Sequence, residues 1–398
     1  MAGERGAKPV TVLDAPSNLG LTPPTAGAVP GCAKAPGALR DHDLLARLDA
    51  RDAGCVVPPR YDPGEWAPGD GVNQADQVAD YAVKLAERLA PLLADESFPV
   101  VLGGDCSILL GSALALRRRG ADAGTRYGLV FVDGHTDFRH PGNADYVGAA
   151  GGEELALVTG RGDARLTNID GLKPYLRESD IVVLGIRDDD AYRMDITAAG
   201  IPHRTVPVLR AEGMPRTAAW AASLLSDTAG FWVHLDTDVL DPTVLPAVDA
   251  PSDGGIGYGE LEHLLADLVA VPGCLGVEVT VFDPDYDPDG TFARELVDAL
   301  VAGLRPRWDR PAAPVAAADP ATAGSAELAG PTGPAGRSAP IAAGSAPRHA
   351  TITVALADPP AAGAGPVAPR RSTGLGWPVD EPNAGTGVGT SSRLGWPE

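Results

Sequence analysis

The stretch GLVFVDGHTDFRH, residues 128–140, joins an apolar strand directly to a set of polar side chains. Its apolar run, Leu129–Val132, is typical of a strand that is buried on both faces. Asp133, His135 and Asp137 then follow at alternating positions. Buried carboxylates are costly unless a cation neutralises them, and ligands collect at the carboxyl ends of strands in open α/β sheets. The pattern predicts a metal site; the alternative is a polar loop that matches by chance.

Apolar strands alternate with helices along most of the sequence, which predicts an α/β fold with a mostly parallel sheet covered on both faces. Most of the predicted strands end in acidic or glycine-rich residues, and this indicates one domain with one site. The predicted strands are 9–13, 98–102, 129–132, 181–186, 205–209, 231–235 and 274–279. The predicted helices are 36–48, 73–93, one that ends near 119, one that begins near 153, 218–226 and 295–304.

The chain is acidic, with a formal net charge of −21 over 398 residues. This charge argues against non-specific binding to nucleic acid or to an anionic membrane, because both require a basic face. The sequence contains no run of 18 apolar residues and no charged-then-apolar leader, so we expect a cytoplasmic protein that acts on a small molecule. The four cysteines are too scattered for a disulfide framework.

The composition changes at Arg305. Between Trp308 and Trp377 there is no Phe, Trp or Tyr, and Pro, Ala, Gly and Ser dominate. Such a segment cannot bury enough apolar surface to offset its chain entropy. We therefore divide the chain into a metallohydrolase-like domain, 1–304, and a disordered tail, 305–398. The sequence LGWP occurs twice in the tail, at 375–378 and 394–397. The two interpretations are a docking motif and a disordered repeat that takes no part in the chemistry.

Further donors follow other predicted strands. The sequence GGDCS, 103–107, follows one strand, and DTDVLDP, 236–242, follows another. Five hard donors suit a pair of divalent first-row ions, Mn²⁺ above all, that share a water and convert it to hydroxide. The alternative is that these acids cap helices and turns. The five donors are Asp133, His135, Asp137, Asp236 and Asp238.

This pattern resembles the ureohydrolase superfamily, which contains arginases, agmatinases and related amidinohydrolases. The resemblance covers residues 8–304 in the family's motif order. The family motif Asp-Ala-His-x-Asp corresponds to DGHTD at 133–137, with Gly134 in place of Ala, and Ser-x-Asp-x-Asp-x-x-Asp-Pro corresponds to HLDTDVLDP at 234–242, with His234 in place of Ser. The resemblance implies a three-layer α/β/α sandwich, assembly as a homo-oligomer (trimer or hexamer), and hydrolysis of a C–N bond in a guanidino or related amidino compound by a metal-bound hydroxide.

The resemblance also implies how the metal donors are shared. Asp133 and Asp236 would bridge two ions, Asp137 would bind one of them, and His135 and Asp238 would bind the other. Other residues would act on the substrate.

Among these substrate-directed residues, Glu278 matches the acid that holds the guanidinium group, and Asp137 would assist proton transfers. Asp188 and Asp190 lie in a stretch that reaches the far end of the substrate in arginases.

Two further departures from the family pattern matter for the chemistry. Cys106 stands where the family motif Gly-Gly-Asp-His-Ser has a histidine ligand. A thiolate at this position can bind a metal and would favour Zn²⁺ or Ni²⁺ over Mn²⁺, whereas the alternative is a small buried thiol that fills space. The family's proton-shuttle histidine has no counterpart in 148–154. The sequence therefore supports two hypotheses: an amidino hydrolase, or a non-catalytic or regulatory relative that binds one ion.

Removal of residues 311–398 should leave folding and metal content unchanged, because this segment contributes no core. Thermal unfolding and elemental analysis of the truncated and full chains check this. A markedly lower melting temperature of the truncated chain would instead indicate that the LGWP repeats dock on the domain.

Overall fold

The computed structural model describes residues 9–305, apart from 26, 63, 68, 96 and 146. Eight strands form one sheet in the order β2-β1-β3-β8-β7-β4-β5-β6, and every neighbouring pair is parallel. The strands are β1 (Val10–Ala15), β2 (Arg51–Cys55), β3 (Phe98–Gly103), β4 (Gly128–Val132), β5 (Ile181–Ile186), β6 (His203–Thr205), β7 (Phe231–Asp236) and β8 (Cys274–Thr280). The tail from residue 306 and both LGWP copies lie outside the described residues, so the domain division stays a prediction.

Helices cover both faces of the sheet and complete the predicted three-layer α/β/α sandwich. Within the described ranges, no helix is long and apolar enough to cross a membrane. The α-helices of these ranges are α1 (Ala35–Arg40), α2 (Leu44–Arg47), α3 (Ala75–Ala94), α4 (Leu109–Ala123), α5 (Glu154–Val158), α6 (Ala164–Thr167), α7 (Arg193–Ala198), α8 (Val206–Glu212), α9 (Met214–Leu224), α10 (Tyr258–Val269) and α11 (Thr291–Leu304).

The central strand β4 is buried on both faces, as its apolar run predicts. Leu129 and Phe131 pack into the core beneath α3 and α4, whereas Val130 and Val132 pack into the core beneath α10 and α11. Successive side chains of a strand point to opposite faces, so one short apolar run contributes to both cores.

Several elements differ from the sequence prediction: the predicted helix 36–48 is two helices, α1 and α2, and the short helices α6 and α7 were not predicted. The edge strand β2 was not predicted, because four of its five residues are exposed and its sequence, RDAGC, does not alternate between apolar and polar residues. Residues 206–209 were predicted as part of a strand but begin α8, where Pro207 suits the first turn and Val206 and Leu209 share the buried side. Helix α10 was also not predicted, although its leucines recur at helical spacing.

The loops after β1 and β3 hold each other at the carboxyl edge of the sheet. Asp105 N donates to the Ser17 carbonyl at 3.0 Å, and Ser17 Oγ donates to Asp105 Oδ2 at 2.6 Å. A Cβ on Gly104 would lie 1.6 Å from the Ser17 carbonyl oxygen, so only glycine permits this approach. The contact fixes the position of Cys106, the second residue after Gly104.

Gly104→Ala should therefore destabilise the fold by about 1–3 kcal/mol, because the two backbones must separate. Urea unfolding measures the change. Gly37→Ala in α1 is the matched control, since its Cβ would meet open space and the change should be neutral or stabilising. Equal stability of the Gly104→Ala protein and the wild type would show that the loops are not held together in this way.

Candidate metal centre

The residues predicted to bind metal come together at the carboxyl ends of β3, β4 and β7. They form two groups of three residues, and within each group one ligand atom of every residue lies within 4.8 Å of the ligand atoms of the other two. The outer group consists of Asp133, His135 and Asp238, and the inner group of Cys106, Asp137 and Asp236.

In the outer group, a histidine and a carboxylate form an ion pair at the edge of the site. His135 Nδ1 lies 2.9 Å from Asp238 Oδ2, and the His135 side chain is 29% exposed. Burial alone would lower the pKa of His135, but the neighbouring Asp238 carboxylate raises it to about 10. The backbone N–H of Gly134 donates to Asp238 Oδ1 at 3.1 Å, so the turn after β4 and the turn after β7 are joined at this point.

In the inner group, the Cys106 thiol is buried against a carboxylate. Its Sγ lies 2.5 Å from Asp236 Oδ2 and 3.3 Å from Thr280 Oγ1. Burial, reinforced by the charge of Asp236, raises the pKa of the thiol, so Cys106 donates to Asp236 when no cation is bound. The first motif therefore reaches the site, and both roles considered for Cys106 remain open.

Asp137 occupies an uncommon backbone conformation, with φ of 41°. Non-glycine residues adopt this left-handed region rarely, and such strain is concentrated at functional sites. Burial raises the pKa of Asp137, as it does the pKa of Asp133 and Asp236, and the neighbouring carboxylates add to the effect in Asp133. The site is thus a cluster of acids that oppose one another's ionisation.

Two further donors reach the site that the sequence analysis did not select. Glu154, at the start of α5, groups with Asp133 and Asp137, and also with Cys106 and His234. His234 is fully buried on β7, and it stands two residues before Asp236, so the alternation of a strand places both side chains on one face. That spacing is the signal that could have identified it. For Glu154 no such signal exists, because an acidic residue in the first turn of a helix is common whether its side chain is buried or exposed.

The three residues predicted to act on the substrate differ in their exposure and in their distance from the cavity. Asp190 lines the cavity described below and accepts from Thr136 Oγ1 at 2.8 Å. Asp188 is 58% exposed and pairs with Arg193. Glu278 is fully buried, and its carboxylate accepts from Ser112 Oγ and faces His234 Nδ1 at 2.8 Å. None of the three roles is tested by this geometry, and they stay predictions.

A cavity of about 510 Å³ opens above the two groups. Asp137, Asp236 and Asp238 belong to its lining, and Arg139 and Arg187 are its basic members. The guanidinium of Arg187 is occupied by backbone carbonyls, including that of Asp238 at 2.9 Å. The Nε of Arg139 makes no hydrogen bond but forms an ion pair with Glu153 Oε1 at 3.8 Å. The cavity can therefore accept a small molecule with both cationic and anionic parts.

Comparison with known proteins agrees with this geometry. The Arginase family model matches residues 10–303. The arginase of Brevibacillus brevis is 31% identical over 277 residues, which cover 68% of this chain and 90% of that protein. The arginase of Bacillus subtilis strain 168 is 29% identical over 74% of this chain and 98% of its own length.

The solved structure of the arginase from Bacillus caldovelox superimposes with a TM-score of 0.66 at 25% identity. The match covers 75% of this chain and 98% of that one. The family match extends over most of the chain and includes every strand end described above. The chain therefore belongs to the arginase family.

Proposed function

We propose that this protein is a metal-dependent hydrolase that cleaves a C–N bond of a guanidino or related amidino compound. The observation that carries the proposal is the cluster of buried acids on the floor of a substrate-sized cavity. Membership of the arginase family supports the same reaction class. As part of the proposal, the protein acts in the cytoplasm as a homo-oligomer, by resemblance to its family.

The side chains fit a divalent metal because several buried ligand atoms have no protein donor. Asp133 Oδ2 and His234 Nε2 lack a hydrogen-bond partner, and no N–H group donates to the carboxylate of Glu154, which meets the carboxyl group of Asp137. Unpartnered buried carboxylates are costly, and a cation satisfies them. The carboxylates and imidazole of the outer group suit Mn²⁺, which we propose there.

Divalent ions held by these residues would supply a water-derived nucleophile near neutral pH. The protein's own residues would position the substrate and move protons. Asp137 lies on the cavity floor and would take a proton from the attacking water. The acids of the cavity floor would attract the cationic amidino end, Asp190 on the cavity wall would face the far end of the substrate, and Arg139 would bind a carboxylate. We therefore propose a substrate that carries both groups.

Asp133→Asn should stabilise the metal-free protein by about 1–3 kcal/mol, because it removes a buried charge and supplies a donor to neighbouring carboxylates. The same change should remove most of the stabilisation by added Mn²⁺, which in the wild type reaches about 2.7 kcal/mol at 100 times Kd. Thermal unfolding with and without chelator measures both effects. Asp298→Asn, at a 57% exposed side chain, is the control and should change neither.

Metal-loaded protein should release urea or ammonia from part of a panel of guanidino and amidino compounds, whereas chelated protein should not. Compounds that carry a carboxylate should be preferred. Asp137→Asn should lower kcat by about 10²- to 10⁴-fold, and Asp298→Asn should leave it unchanged. Stoichiometric metal without hydrolysis of any compound would instead support the alternative of a non-catalytic relative.

A further inference from the structure

His234 is fully buried, and one of its two ring nitrogens, Nε2, has no hydrogen-bond partner. The residue lies in the middle of the sheet, where its register partners are Phe131 on β4 and Glu278 on β8. Its ring stacks on Phe131, with centroids 4.8 Å apart and planes 8° apart. The stacking and the neighbouring strands fix the plane of the imidazole.

The hydrogen bond to Glu278 determines which nitrogen of His234 carries the proton. Nδ1 lies 2.8 Å from Glu278 Oε1, so Nδ1 donates to this carboxylate. Ser112 on α4 donates to the other oxygen of Glu278 and holds it in place. The lone pair of the neutral ring is then on Nε2, and this arrangement of carboxylate, histidine and free nitrogen is typical of a metal-binding imidazole.

The free nitrogen of His234 lies among two other buried metal-ligating side chains. His234 Nε2, Cys106 Sγ and a carboxylate oxygen of Glu154 lie within 4.8 Å of one another, and all three residues are buried. Nε2 has no hydrogen-bond partner, and the carboxylate of Glu154 meets another carboxyl group, that of Asp137. A histidine that serves only the core would have a partner for both nitrogens, since a buried unpaired polar atom is destabilising.

We propose that Cys106, His234 and Glu154 bind one metal ion, and that this thiolate and imidazole site prefers Zn²⁺ or Co²⁺. The proposal rests on the metal dependence proposed above. It specifies the ligands of the ion on the Cys106 side, and the site formed by Cys106, His234 and Glu154 is called the inner site below. Glu278 and Ser112 are positioning residues in it, because they orient His234 and do not bind the ion. Binding displaces the thiol proton to solvent, and the sulfur leaves its hydrogen bond to Asp236.

The two ion sites would then differ in chemistry. The outer group offers two carboxylates and one imidazole, a set that suits Mn²⁺. The inner site offers sulfur, nitrogen and one carboxylate, a set that suits Zn²⁺. Asp133 groups with donors on both sides, with His135 and Asp238 outside and with His234 and Asp236 inside. It is therefore placed to bridge the two ions.

Titration of the full-length protein with Co²⁺ tests the assignment, because a cobalt–thiolate bond gives a charge-transfer absorption that carboxylate sites lack. The wild type should bind about two equivalents and show this absorption. Cys106→Ser should abolish the absorption. His234→Gln should remove about one equivalent, and Glu278→Gln should weaken the inner site by about 10- to 100-fold while the absorption is retained.

The control is His203→Gln on the edge strand β6, a partly buried histidine outside every donor group of the described residues, and it should leave the titration unchanged. A second test uses the wild-type protein alone and therefore does not depend on whether a variant folds. The protein is labelled with ¹⁵N-histidine, and the nitrogen chemical shifts are measured by NMR with and without Zn²⁺. Two imidazoles, those of His135 and His234, should show metal-bound nitrogen shifts.

Two bound ions with one shifted imidazole, or with an unchanged titration of His234→Gln, would overturn the inner site alone. Absence of any bound metal would overturn both the inner site and the proposed function. Two ions with the expected ligands but without hydrolysis would overturn the hydrolase and confirm the inner site.

Discussion

The site depends on one electrostatic constraint, the burial of several carboxylates together at the carboxyl edge of the sheet. Asp133, Glu154 and Asp236 are at most 1% exposed, and burial together with neighbouring acids raises the pKa of each. Arg187 is nearby, but its guanidinium donates to backbone carbonyls and so braces the loops beneath the site. Cations or protons must therefore balance the cluster, and the proposed divalent ions would do so at neutral pH.

The topology of the sheet brings these acids together. Strands β3, β8, β7 and β4 are consecutive neighbours in the sheet although they are far apart in the chain. All run in the same direction, so their carboxyl ends meet at one edge. Close approach of Gly104 to the loop after β1 then presses the turn that carries Cys106 against the end of β7.

Strand β7 serves both halves of the site. Its alternation places His234 and Asp236 on one face, and the turn that follows presents Asp238 to His135. Glu278 is bound to His234 and Ser112 within the sheet layer, away from the cavity lining. In the proposed metal site this carboxylate would orient His234, and its role on the substrate stays a prediction.

The sequence by itself determined the elements whose information is local. The apolar runs of β4 and β5 predict buried strands, and the donors at 133–137 and 236–238 are close enough in sequence to be recognised as motifs. Strand β2 and helix α8 were missed or mistaken because an exposed edge strand and a short apolar run carry little periodicity.

Only the tertiary structure decided which buried polar groups meet. Ser112 and Glu278 are 166 residues apart and form one hydrogen bond, and Cys106 faces Asp236 from a distance of 130 residues in the chain. A local pattern records which residues avoid water, whereas the partner of each depends on the register of strands that come together from distant parts of the chain. For that reason the free nitrogen of His234 and the buried carboxylate of Glu154 became visible only in the folded protein.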